Sequence, residues 1–241
     1  MTDWNEFCSQ GYAALINGLI ERGYEARGFH DVDQSSRHVI VRHDVDFSLE
    51  DAVRMAGQEN ELGIISTYFV LMRSEFYNPL SAAGLAALRA ITDCRHEIGL
   101  HFDGALYAGD DQNLLRAIQL ESNLLASALG RPVRTMSFHR PASERIGDTN
   151  ELAGLINAYG PRFVKDMGYR SDSRGAWRYG HPFDDASIQE GRALQLLVHP
   201  FWWSDPAMSP QERLRAFLAR RARYLDEELA RHCVVHVPQR S

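Results

Sequence analysis

Two aspartates stand two residues apart at the end of an apolar run in "VRHDVDFS", residues 41–48, with an arginine and a histidine just ahead of them. Similar polar endings recur along the chain: His101 and Asp103, His139 and Arg140, Asp172, and His199. Residues two apart in a strand point to one face. Asp44 and Asp46 therefore share a face and His43 takes the other. His101 and Asp103 likewise share a face, while His96 points away from His101. His43 and His96 are read as packing or supporting residues. Two carboxylates on one face beside imidazoles can divide two tasks. One holds a divalent metal together with the histidines, and the other takes a proton from an attacking water. That chemistry is hydrolysis.

Positioning these groups requires short apolar runs that alternate with longer amphipathic ones. A leading helix is predicted near residues 4–22, followed by strands over 38–46, 64–72, 96–103 and 134–141. The helix after the first of these opens on Ser48 as N-cap, the next is started by Pro79, and the third ends at Gly130. The second half reads as a helix over 149–160, strands over 162–173 and 193–203, and a final helix over 209–232. Strands separated by helices of this length imply parallel pairing through βαβ crossovers. The expected fold is α/β, a closed or nearly closed β/α barrel. In such barrels the βα loops converge at the C-terminal ends of the strands, where all of the polar endings above would fall.

With 241 residues and 44% hydrophobic content, the chain can bury a full core, and a single domain is expected over 1–241. A formal charge of −6 argues against an electrostatic grip on nucleic acid or an anionic membrane. No stretch approaches the length of a membrane span. The N-terminal residues lack the basic start and apolar core of a signal peptide, so a cytoplasmic location is expected. Cys8, Cys94 and Cys233 are too scattered for a disulfide framework or a zinc ribbon. The arginine run of the last helix is followed by Asp226, Glu227 and Glu228, which suits a solvated face with ion pairs. A small-molecule or glycan substrate is the expected partner; oligomeric state leaves no trace.

The segments "RHDVD", "HEIGLH", "SFHRP", "YRSDS" and "LLVHP" occur in the order and approximate spacing of five motifs of the polysaccharide deacetylases, carbohydrate esterase family 4. The chain resembles that family over residues 41–200, about two thirds of its length. The resemblance implies a distorted, incomplete (β/α) barrel, in which Asp44 is the catalytic base and Asp46 and His101 are metal ligands. It further implies that Arg140, before Pro141, orients the base, and that Asp172 tunes His199. His199 would be the acid for the leaving amine, with Leu197 as a wall of the acyl pocket.

The chain departs from the family at Ala105, where a second metal histidine is usual. A catalytic zinc site normally has three protein ligands plus water, so another ligand is needed. His139 is the first candidate and Asp103 the second. The expected cofactor is one divalent ion, zinc first, with cobalt, nickel or iron suiting the same donors. The resulting reading is a metal-dependent amide hydrolase, foremost an N-deacetylase of an amino sugar or a sugar-containing precursor, with a bell-shaped pH dependence. A deformylase, a cyclic-amide hydrolase and a non-catalytic carbohydrate-binding protein of the same fold are the alternatives. Trp202, Trp203, Tyr107 and Trp177 are candidates for stacking on sugar rings, against the alternative of plain packing.

Overall fold

The computed structural model of the chain describes residues 6–107 and 109–238. Its strands are β1 (Glu25–Ala26), β2 (His38–Val45), β3 (Thr67–Leu71), β4 (Glu97–Asp103), β5 (Thr135–His139), β6 (Glu151–Leu152), β7 (Leu155–Asn157), β8 (Gly168–Ser171) and β9 (Leu194–Val198). They form one sheet in the order β6-β7-β5-β4-β3-β2-β9-β8, with β1 beside the start of β2. Every pairing is parallel except β6 with β7. The sheet curls into an incomplete α/β barrel, as the alternation of runs predicts. All eight positions of β2 are buried, as befits a central strand covered on both faces.

Helices α1 (Ser9–Glu21), α2 (Leu49–Glu61), α3 (Ala82–Asp93), α4 (Asp111–Leu129) and α7 (Pro210–His232) cover the outside, with short turns α5 (Pro161–Val164) and α6 (Ala186–Gln189). Ser48 caps α2 by accepting from the Asp51 backbone N–H at 3.1 Å, and Gly130 closes α4 in the left-handed region at φ +67°. Ser209 and Glu212 form a reciprocal capping box on α7. Between sheet and helices lie two apolar layers, one around Tyr68, Leu100 and Ile118 and one around Tyr12, Leu196 and Trp203. Inside the curl, Phe29, Ile40, Phe69 and Phe163 form a plug, with the Phe29 ring 5.7 Å from Phe69 and 5.0 Å from Phe163.

Three sequence expectations are corrected. Residues 149–160 are not a helix but the β6–β7 hairpin, because Ala153 and Gly154 both adopt positive φ, +50° and +78°, and reverse the chain in two residues. The run over 162–173 divides into the single turn α5, opened by Pro161, and the strand β8. Ser81 rather than Pro79 sets the start of α3, its hydroxyl accepting from the Gly84 N–H at 3.0 Å. The leading helix begins at Ser9, and the first residues of its predicted span, 4 and 5, lie outside the described residues. Among the described residues no disulfide joins the cysteines, and no helix is long and apolar enough to cross a membrane.

Candidate active site

Strand β2 carries chemistry on one face and support on the other. Arg42 and Asp44 share the inner face, and both are buried. The Arg42 guanidinium donates from Nε to Asp44 Oδ1 at 2.9 Å and from Nη2 to Oδ2 at 2.8 Å, and also reaches Ser137 Oγ. Its Cζ lies over the Tyr159 ring, 4.2 Å from the centroid. A buried ion pair is tolerable when its hydrogen bonds are complete, and this fork-to-fork arrangement meets that condition. Burial alone would raise the Asp44 carboxyl. Arg42, and after it His101, outweigh burial and hold Asp44 below the ordinary carboxylate range.

Beyond the end of β2, Asp46 meets two histidines from neighbouring strand ends. Its Oδ1 is 3.2 Å from His101 Nε2 and 3.3 Å from His139 Nδ1, and the three donor atoms lie within 4.8 Å of one another. Donor atoms bonded tetrahedrally to zinc at roughly 2.0–2.2 Å would stand about 3.3–3.6 Å apart, and both separations from Asp46 suit such an ion. His101 Nδ1 lies 3.2 Å from the Ser137 carbonyl oxygen, a partner that fixes its tautomer with Nε2 free for a ligand. Burial would raise Asp46, but hydrogen bonds from His101 and His139 keep it well below the ordinary range. Ala105 contributes only its backbone N–H, donated to Asp103 Oδ1 at 3.2 Å. Asp103, the second candidate ligand, is instead engaged by Arg140.

His199 follows β9, whose pairing of Val198 with His43 brings it beside Asp44. Its Nδ1 is 2.5 Å from Asp172 Oδ1, and its Nε2 is 3.8 Å from Asp46 Oδ2. Asp172 is fully buried and accepts further from the His199 backbone N–H at 3.0 Å and from Trp203 Nε1 at 2.7 Å. Burial would lower the imidazole, but the charge and hydrogen bond of Asp172 prevail and push His199 up to about 9. An imidazole raised this far is protonated at neutral pH.

Asp44, Asp46, His101, His139, Arg140, Leu197 and His199 all line one cavity of about 360 Å³. A cleft of about 410 Å³ beside α2 contains Asp51, Arg54 and Glu61 but no histidine. Arg140, which the motif order makes the partner of the base, has a left-handed backbone (φ +54°) and turns toward Asp103; the partner of Asp44 is Arg42. The sequence signal for Arg42 is its place two residues before Asp44 on the same face. Trp202 is buried in the apolar layer against Phe47 and Phe201 and does not line the cavity. Tyr107 is stacked on Phe102 and lines an adjoining hollow with Ala105 and Pro141. Neither tryptophan of the "WW" pair presents a free ring face for a sugar: Trp203 serves Asp172 instead. Trp177 packs near Phe7 and Trp203. Tyr159, Ser173 and Arg174 also line the cavity, and residue spacing alone did not single them out.

No family model and no curated protein matches the chain. Solved structures similar to it include members of carbohydrate esterase family 4, the family its five motifs resemble. A family 4 carbohydrate esterase from Bacillus anthracis is 17% identical over 88% of this chain and 85% of its own, with a TM-score of 0.46. IcaB from Ammonifex degensii is 14% identical over 54% of this chain and 65% of its own, with a TM-score of 0.43. A CE4 family pseudoenzyme from Bacillus anthracis is 13% identical over 78% and 61%, with a TM-score of 0.42. The chain thus spans less than two thirds of the length of these last two.

Proposed function

We propose that the protein is a metal-dependent hydrolase of a C–N amide bond, an N-deacetylase acting on an acylated amino sugar or a precursor that contains one. The reading is carried by one observation: the Asp46, His101 and His139 donor atoms lie within 4.8 Å of one another, in the cavity that Asp44 and His199 also line. Those three residues would hold a divalent ion, which when bound supplies Lewis acidity toward the acyl carbonyl and makes a water easier to deprotonate. Asp44, oriented by Arg42, takes a proton from the attacking water as its oxygen bonds to the carbonyl carbon. His199, held protonated by Asp172, donates its Nε2 proton to the departing nitrogen as the C–N bond breaks, leaving a carboxylic acid and an amine. Leu197 closes the wall beside the acyl group. Carboxylate and imidazole donors accept zinc, cobalt, nickel or iron, with zinc the first choice.

The test is elemental analysis of tag-free protein alongside hydrolysis of N-acyl sugars. About one divalent ion per chain is expected in the wild type, with loss of both metal and hydrolysis in Asp46→Ala, His101→Ala and His139→Ala. Asp44→Asn should retain the metal and lose about 10²- to 10⁴-fold in kcat. A wild type that takes up no metal from zinc or cobalt solutions would favour the carbohydrate-binding alternative.

A further inference from the structure

The acidic groups around the cavity are each matched. Asp44 is forked by Arg42, Asp172 by His199, Asp103 by Arg140, and Asp46 faces two imidazoles. Arg174 lines the same cavity and is exposed, and among the described residues no carboxylate lies within ion-pair distance of it. Its backbone is in the left-handed region at φ +62°, which a non-glycine residue enters at a cost. The turn that imposes this is firmly held: the N–H groups of Gly175 and Ala176 both donate to the Asp172 carbonyl oxygen, at 2.8 and 3.2 Å. A side chain at Gly175 would press on the Trp202 ring at 3.1 Å, so the turn is packed as well as hydrogen-bonded. The same aspartate that holds His199 therefore anchors the turn that sets Arg174 at the cavity mouth.

A second lobe of the site, reached across Asp46 and His139, carries charges of both signs in Arg73, Glu75 and Asp103. Arg174 adds a guanidinium that has no ion-pair partner among the described residues, in the same lining as Leu197 and His199. A guanidinium with free donors, carried on a fixed turn, recognises carboxylate or phosphate oxygens.

We infer that Arg174 is a specificity residue that binds an anionic group, a carboxylate or a phosphate, carried by the substrate. The inference rests on the reading of this cavity as the reacting site and narrows its substrates to acidic or phosphorylated N-acyl sugars. The test is titration calorimetry with three probes: N-acetylglucosamine, its 1-phosphate, and its 6-carboxylate analogue. Wild type, Arg174→Lys and Arg174→Gln are compared at fixed ionic strength, both metal-loaded and metal-free. In the wild type one anionic probe should bind about tenfold tighter than the neutral sugar, and the tighter of the two identifies the group. Arg174→Gln should bring the ratio to within about twofold, and Arg174→Lys should fall between, since an ammonium keeps the charge without the fork. Equal affinities in the wild type, no binding of either anion, or an unchanged ratio in Arg174→Gln would overturn the inference. An anion preference that depends on Arg174 in a protein that hydrolyses none of the probes would leave this inference standing and remove support from the hydrolase reading alone.

Discussion

Arg42 reaches Asp44 from two residues back on the same strand, so carboxylate and guanidinium are positioned by one stretch of backbone. Arg140 stands on a turn at φ +54° and has found Asp103. Replacing Arg42 by Lys should lower kcat for amide hydrolysis about tenfold or more with little change in KM, because one ammonium cannot hold both carboxylate oxygens. Arg140→Ala should leave kcat within about threefold, as expected for an exposed ion pair. Steady-state kinetics on both variants decide the matter: the opposite ranking would return the orienting role to Arg140. For His199 the consequence is a pH limb. A raised imidazole is protonated below its pKa, so acid assistance is present at neutral pH and is lost as pH rises toward about 9. A cation sharing Asp46 draws that limb lower. Asp172→Asn should shift it further down, toward the ordinary histidine range, which a pH profile of kcat would register. The place of Arg42 was legible in its spacing of two from Asp44, while the motif order pointed to Arg140, whose left-handed turn toward Asp103 no spacing reveals.

Strand β2 owes its other face to α2. Glu59 is fully buried and sits 2.8 Å from His43 Nε2, with hydroxyl donors from Ser66 at 2.6 Å, Tyr68 at 2.7 Å and Tyr12. His96 lies 3.8 Å away, and His43 Nδ1 is 3.3 Å from the Val198 carbonyl oxygen on β9. One carboxylate thus ties α1, α2, β2, β3 and the approach to β4, and through His43 it links the strand bearing Asp44 to the strand preceding His199. Burial would raise Glu59, but His43, His96 and the hydroxyl donors prevail and lower it to about 2 from its ordinary 4.5. A depressed carboxyl stabilises the fold above its unfolded pKa. This contribution is complete above about 4.5 and disappears as pH falls toward 2. Thermal melts should show Glu59→Gln less stable by about 3 kcal/mol at pH 7 and flatter than wild type between pH 5 and 2, in the range for breaking a buried pair. A wild-type melting temperature that does not fall across that acid range would refute the assignment. The outward turn of His43 and His96 was legible from the period of two along a strand. Their shared acceptor was not, because Glu59 lies on a helix whose rotation about the sheet is fixed by packing.

Across the molecule, the parallel barrel was legible because β2, β3 and β4 are apolar and each is followed by a helix with a side-chain N-cap. The β6–β7 hairpin was not. "NELAGLIN" spaces its apolar residues in a way that suits a helix or a hairpin, and the choice fell to two left-handed residues at the turn. The place of His139 beside Asp46 and His101 was legible because Ala105, where a histidine is usual, directs the search for another donor to the neighbouring strand ends. The two halves of the proposed catalyst also differ in how they are inherited from the fold. Asp44 and its arginine travel together on a single strand, whereas Asp46, His101 and His139 come from the ends of β2, β4 and β5. Shear between those strands spreads the second set and leaves the first untouched. As the barrel is loosened, any ion held by the second set should therefore be lost while the Arg42–Asp44 pair is still joined, so that metal retention reports the first opening of the strand ends and the pair reports a later one.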